Sequence, residues 1–355
     1  MTKLDTQPVA PLLELLQSAE HVSVEEVPAK KPLQRTFVLN IQPGNNSQSE
    51  GGEAPQRPAP EYDRGYLLEN ARLLLQNADF LLAQNLYSRL LQKNIQDAEA
   101  LLGLGICLLR LGDRQKAKKC FGALWELHDS EEALVWLGHC FSKEGDDRRA
   151  IQTFGGIRSL AALSDEERFE VLKESGNCYF RLGRETEARE AYLGARDVRP
   201  DSVLLEVNLG MVELQCRRLE EAENHFQRAM DLEAGCSKAY SGMALVAQER
   251  EDFFVAEKYF YKALDLDPLN QTALLQLVAR AHRCGEFASI SERLKQFVAR
   301  EPDNVDVNYA YATVLFKCSR WAECRERLHL ALSKDPHHRP SQKLNRELNQ
   351  NRHPA

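Results

Sequence analysis

Residues 101–121 read LLGLGICLLRLGDRQKAKKCF. Within this stretch Gly105, Ala117 and Phe121 are separated by twelve and then four residues. Small residues allow two helices to approach closely, and an aromatic ring fills the space that remains beside them. Gly112 stands between the two small residues and permits the left-handed backbone that ends a helix. The stretch therefore predicts a helix, a tight turn and a second helix.

The same three positions recur along the chain. The first is taken again by Gly138, Gly176, Gly210, Ala244 and Ala312, the second by Ala150, Ala188, Ala222 and Ala256, and the third by Phe154, Tyr192, Phe226 and Phe260. Prolines recur as well, with Pro268, Pro302 and Pro336 each 34 residues apart. Because proline stops the helix before it, each one marks the end of a hairpin. A constant period of this kind predicts a stacked array.

This pattern resembles the tetratricopeptide repeat, a helix–turn–helix unit of about 34 residues with small residues, an aromatic and a late proline at fixed places. The frame gives eight repeats, which begin near residues 64, 98, 131, 169, 203, 237, 271 and 305. Residues 165–168 read as an insertion before the fourth repeat. The resemblance implies an all-α fold, a right-handed superhelical solenoid whose first helices line a concave face.

The ends of the chain differ from the array. Residues 1–60 predict a disordered tail and linker, residues 61–338 the array, and residues 339–355 a capping helix and tail. The tail has too few apolar residues to offset its chain entropy. Two islands stand out in it: residues 11–16 are typical of a short amphipathic helix, and residues 36–41 alternate like a strand. They are either sticky patches or motifs that dock on a partner or on the protein's own groove.

Composition narrows the function classes. The chain has 46 basic and 53 acidic residues, well mixed, with a net charge of −7, so we expect no nucleic-acid partner. No apolar run in the array reaches the roughly 20 residues of a spanning helix, and we expect no membrane insertion. Cys107, Cys140 and Cys178 each follow a helical glycine by two residues, which predicts structural thiols in a reducing, cytoplasmic compartment.

Motifs for chemistry are missing from the sequence. No phosphate-binding loop or nucleophile motif is present, and Gly103-Leu104-Gly105 lies inside a predicted helix. His337 and His338 fall in a terminal turn and are read as solvated. We therefore expect a protein that is not an enzyme, with no cofactor and no metal.

Candidate binding residues lie on the predicted first helices of the fourth to sixth repeats. Some family members bind a carboxylate terminus with Lys and Asn in one repeat, Asn in the next, and Lys and Arg in a third. Similar residues stand here, with Gly242 in place of the arginine: Lys173, Asn177, Asn208 and Lys238. Lysines attract a carboxylate, and asparagines can hold a peptide backbone. Three readings stay open, namely a carboxylate clamp, a general peptide groove and solvated surface.

Trp136 is the best aromatic candidate for the same face. It holds the position in the third repeat that Asn208 holds in the fifth. The ring is a candidate pocket for a peptide side chain. The alternative is plain contact with a neighbouring helix.

The resulting hypothesis is a scaffold or adaptor, co-chaperone-like, that binds an extended peptide or a helix of a protein partner in the concave groove. One alternative is a regulatory subunit of an enzyme made by another chain. A second alternative, a use that this family often has, is an assembly factor for a secretion, pilus or motility machine. The sequence predicts no particular oligomeric state.

Overall fold

The computed structural model describes residues 23–26, 37–40 and 63–350. Strands β1 (Ser23–Glu26) and β2 (Phe37–Asn40) pair antiparallel, with Val24 opposite Leu39. β2 falls within the stretch whose alternation is strand-like, and the pairing is an addition to the all-α fold. The helix predicted at residues 11–16 and most of the predicted disordered tail lie outside the described residues.

Seventeen α-helices form the described part of the chain from residue 64 onward. They are α1 (Arg64–Gln76), α2 (Phe80–Lys93), α3 (Ala98–Arg110), α4 (Arg114–His128), α5 (Glu131–Glu144), α6 (Asp147–Phe154), α7 (Asp165–Arg181), α8 (Glu185–Val198), α9 (Val203–Gln215), α10 (Leu219–Leu232), α11 (Ser237–Glu249), α12 (Phe253–Leu266), α13 (Gln271–Cys284), α14 (Ala288–Arg300), α15 (Val305–Lys317), α16 (Trp321–Lys334) and α17 (Arg339–Gln350). None of these described helices combines the length and apolar character that crossing a membrane requires.

The odd-numbered helices α1 to α15 are the first helices of the eight predicted repeats, and the even-numbered helices α2 to α16 are the second. Seven first helices begin at the predicted residue, which confirms the repeat frame. The fourth, α7, begins four residues early, because the predicted insertion is its first turn. Ser164 caps this turn: its Oγ accepts the Glu167 N–H, and a Glu167 carboxylate oxygen accepts the Ser164 N–H.

Glycine–aromatic packing holds the hairpins together, as the sequence predicts. A Cβ atom added to Gly105 would overlap the buried ring of Phe121, and one added to Gly138 would overlap Phe154. Only glycine allows the ring to approach the helix backbone so closely. In these hairpins the recurring glycine therefore contacts the recurring aromatic residue.

The turns inside the hairpins need a left-handed residue. Gly112, Gly145 and Gly183 supply it, with φ angles of 90°, 79° and 69°. Three of the four later turns use residues with a side chain, namely Arg217, Glu251 and Ser319, with φ between 58° and 64°, and the fourth uses Gly285. Left-handed backbone costs such residues about 1–2 kcal/mol, so the packing of the flanking helices sets these turns.

The chain divides into two compact units, with the boundary between Leu182 and Gly183. In the first unit one core runs from Leu67 to Cys178. In the second unit α17 packs against α15 and α16 and buries Leu344 and Leu348. This helix thus packs on the eighth hairpin through a narrow apolar stripe.

Candidate peptide-binding faces

Within each compact unit some neighbouring first helices pack against each other. α5 packs against α7 in the first unit, and α9 packs against α11 in the second. Residues one repeat apart therefore form rows across neighbouring helices. We call the rows of incompletely buried side chains on these helices the first-helix face.

Trp136 lies on α5 in the first unit. Its ring stacks on the buried Phe121 of α4, with centroids 5.9 Å apart and an angle of 14° between the planes. The His139 ring meets the indole edge-on, with ring centroids 6.3 Å apart, and the indole is half-buried. Trp136 thus contacts a neighbouring helix, as one of the two readings expects, and still presents part of its ring on the first-helix face.

Lys173 lies on α7 and is already engaged. Its Nζ atom is 2.5 Å and 2.7 Å from the two carboxylate oxygens of Glu170, and only 14% of the side chain is exposed. The ammonium group also lies 5.4 Å from the centre of the Phe169 ring. Asn177 follows one turn later and is half-buried. A peptide carboxylate would have to compete with Glu170 for this lysine.

The other two predicted clamp residues belong to the second unit. Asn208 is half-buried on α9, and Lys238 is exposed in the first turn of α11. The four residues are therefore divided between the two units. Of the two lysines, Lys238 is the one whose charge faces solvent.

Gly242 occupies the place where the clamp has arginine, and its surroundings explain the difference. A Cβ atom there would overlap the ring of Phe226, which is fully buried on α10. The position is needed for helix packing, so no arginine can stand there in this backbone. The bidentate carboxylate contact that only arginine makes is absent from this position.

The first-helix face of the first unit also contains a polar cluster that was not predicted from the sequence. It brings His139 of α5 together with Glu170 and Glu174 of α7. Ser142 Oγ donates to Glu174 Oε2 at 2.8 Å, and Lys143 Nζ lies 3.3 Å from Glu174 Oε1. The only signal in the sequence was two glutamates four residues apart, which share one side of a helix.

Burial and the neighbouring charges shift the pKa values of this cluster in opposite directions. Burial lowers the pKa of His139, while the charges of Glu174 and Glu170 act in the opposite direction. Burial alone would raise the pKa of Glu174, but the hydrogen bond from Ser142 and the charge of Lys143 bring it below its ordinary value. The arrangement thus favours an uncharged imidazole beside an ionised carboxylate.

A second missed feature is an apolar row in the second unit. Met211, Leu245 and Ala279 lie 34 residues apart on α9, α11 and α13. Met211 and Leu245 are half-buried and Ala279 is exposed. The 34-residue register is the signal that could have identified them.

The sequence model of the family described as tetratricopeptide repeat matches residues 68–119 and 175–235. Both segments fall on the hairpins described above. The chain contains tetratricopeptide repeats.

Curated relatives match a limited part of this tetratricopeptide-repeat protein. RNA polymerase II-associated protein 3 of Rattus norvegicus is 34% identical over 116 residues, which are 32% of this chain and 17% of the relative. Cellulose synthase operon protein C of Komagataeibacter xylinus is 30% identical over 108 residues, which are 30% of this chain and 8% of the relative. The chain thus aligns with less than a fifth of the length of either one.

Solved structures share the fold. A tetratricopeptide repeat protein from Parabacteroides merdae superposes with a TM-score of 0.55 at 15% identity, covering 71% of this chain and 99% of the other. PilF of Pseudomonas aeruginosa gives a TM-score of 0.52 at 14% identity, covering 61% of this chain and 97% of the other. The tetratricopeptide-repeat fold and the family match support a protein–protein interaction scaffold.

Proposed function

We propose that this tetratricopeptide-repeat protein binds an extended peptide or a helix of a partner protein along its first-helix faces. The observation that carries the proposal is the apolar row Met211, Leu245 and Ala279. A folded protein gains by burying apolar side chains, and apolar side chains left partly exposed at the same position of successive repeats are typical of an interaction site. The proposed activity is binding and not catalysis.

The polar residues around this row suit a peptide. Asn208 offers an amide that both donates and accepts, which matches the two groups of a peptide backbone. Lys238 is exposed and places a positive charge two turns before Leu245 on α11. The partner segment is therefore expected to combine apolar anchor residues with a negative charge or a free carboxylate terminus.

In the first unit the same face has a different character. Half-buried Leu102 and Ile106 of α3 precede Trp136 of α5 along the series of first helices. We propose Trp136 as an anchor for an apolar side chain of the partner, since Trp combines a large ring with low conformational freedom. Lys173 and Asn177 contribute polar contacts to this proposed site.

The free thiols agree with a cytoplasmic setting. Cys107, Cys120 and Cys140 are buried and unpaired with one another. Free thiols of this kind are typical of reducing compartments. The regulatory-subunit and assembly-factor hypotheses use the same faces and differ from the scaffold hypothesis in the identity of the partner.

A matched pair of substitutions tests the proposal. Leu245→Glu places a charge in the apolar row, whereas Leu232→Glu makes the same change on α10, a second helix, where the side chain is 42% exposed. Peptides are selected from a displayed random library on the full chain, and their affinity is measured by fluorescence anisotropy. A micromolar peptide corresponds to about −8 kcal/mol, so a tenfold loss is readily measured.

We expect Leu245→Glu to lower the affinity for the selected peptides by about tenfold or more, because an apolar contact with the peptide is replaced by a charged side chain. Leu232→Glu should leave the affinity unchanged. Equal affinities of both variants and the unmutated protein would place the binding surface elsewhere and overturn the proposal.

A further inference from the structure

The cluster on the first-helix face of the first unit has the composition of a metal site. His139, Glu170 and Glu174 each offer one ligand atom, and these atoms lie within 4.8 Å of one another. Glu170 and Glu174 are one turn apart on α7, and His139 reaches them from α5, which packs against α7. Among residues 63–350, this is the one group of His, Cys, Asp or Glu side chains that meets this spacing.

We propose that His139, Glu170 and Glu174 bind a divalent transition-metal ion, with Zn²⁺ as the ion of choice. One imidazole nitrogen and two carboxylate oxygens suit zinc, whereas Ca²⁺ and Mg²⁺ prefer oxygen ligands alone. Zinc bonds of about 2.0–2.2 Å require the three atoms to draw together, so the half-buried His139 and Glu170 side chains would have to rotate toward Glu174 when the ion binds. Three protein ligands leave a fourth position open.

The groups around the three side chains hold two of them in place. Ser142 Oγ donates to Glu174 Oε2 at 2.8 Å, and Glu174 is buried. The Trp136 ring meets the His139 ring edge-on, with centroids 6.3 Å apart. Partners of this outer kind orient metal ligands and influence their affinity.

Two lysines hold the positions from which they would compete with an ion. Lys173 Nζ lies 2.5 Å from Glu170 Oε1, and Lys143 Nζ lies 3.3 Å from Glu174 Oε1. In the metal-free state they balance the two carboxylates. Zn²⁺ has to displace the Lys173 ammonium group from Glu170, so removal of this lysine should tighten metal binding. If the cluster only forms ion pairs, removal of Lys173 is not expected to produce tighter Zn²⁺ binding.

The experiment is calorimetric titration of the full chain with zinc chloride in a metal-free buffer. Cys284 and Cys318 are exposed and are first replaced by Ser, so that their thiols do not bind the ion. We expect one equivalent of Zn²⁺ to bind. Glu170→Gln should weaken this event by more than tenfold, because an amide is a poor zinc ligand, and His139→Ala should abolish it. Lys173→Ala should tighten it.

His337→Ala is the matched control, since His337 is an exposed histidine in the terminal turn. Its affinity for Zn²⁺ should equal that of the parent. Glu170→Gln preserves the side-chain shape, so a loss of binding in this variant reports a ligand and not unfolding. Undiminished binding by Glu170→Gln and His139→Ala, absence of a one-equivalent event, or weaker binding by Lys173→Ala would each overturn the proposal. None of these outcomes bears on peptide binding by the second unit.

Discussion

Phe226 and Gly242 are in such close contact that a Cβ atom added to Gly242 would overlap the phenylalanine ring. The same ring would lie 2.6 Å from a Cβ atom on Gly210. Gly210 lies on α9 and Gly242 on α11, so one aromatic side chain of α10 is packed between two glycines of successive first helices. This contact excludes a long side chain from position 242.

Gly242→Ala should therefore destabilise the protein. Extra atoms in a well-packed core cost about 1–3 kcal/mol, which outweighs the entropic gain from replacing glycine in a helix. Urea unfolding followed by circular dichroism measures the change. Gly235→Ala is the control, since no heavy atom lies within 4 Å of its added Cβ. Equal midpoints for the two variants would contradict the packing argument.

Glu213 makes stability depend on pH. Burial alone would raise its pKa, but hydrogen bonds from Arg218 and Arg189, together with their charges, bring the pKa below its ordinary value. A folded-state pKa below the unfolded one means that the stabilisation is present above the unfolded value and is lost as pH falls through the folded one. Glu213→Gln should cost about 2 kcal/mol near neutral pH, the range for hydrogen bonds to charged groups.

The difference between Glu213→Gln and the unmutated protein should shrink as the solution becomes acidic. Urea midpoints at several pH values measure it, and the exposed Glu249→Gln serves as the control. A difference that stays constant into acid would show that the carboxylate charge is not what matters at position 213.

The two candidate clamp lysines should contribute unequally to peptide binding. Lys238 is exposed, whereas Lys173 is already paired with Glu170. Lys238→Ala should weaken an acidic peptide with a free carboxylate terminus by a few-fold, about 0.5–1 kcal/mol, and Lys173→Ala by less. Fluorescence anisotropy measures both. Equal affinity of the unmutated protein for the free and the amidated peptide would end the carboxylate hypothesis.

Thiol reactivity should divide the cysteines by depth. Burial raises the pKa of Cys107, Cys120 and Cys140 to about 12, and the thiolate is the reactive form. Cys284 and Cys318 are exposed. Iodoacetamide followed by peptide mass spectrometry should modify these two in the folded protein, and the buried three only after denaturation. Early modification of Cys120 would contradict its place in the core.

The hairpins and their register could be predicted from the sequence. Gly105, Ala117 and Phe121 belong to adjacent helices of one hairpin, so the residues that meet are close together in the chain. Local periodicity therefore contained the information needed for the helix starts and for the glycine–aromatic contacts. The turn at Gly112 could also be predicted from the sequence, because glycine adopts the left-handed backbone conformation without steric cost.

The side-chain contacts between repeats could not be predicted from the sequence, because they depend on how the helices pack in three dimensions. His139 lies close to Glu170 of the next first helix. Whether two such residues touch depends on their rotamers and on how the two helices pack. The left-handed turn at Arg217 has no sequence signal, since the surrounding helices impose it. The need for glycine at position 242 likewise follows from a ring on another helix. These contacts are set by packing between residues far apart in the chain, and a local sequence pattern contains no information about them.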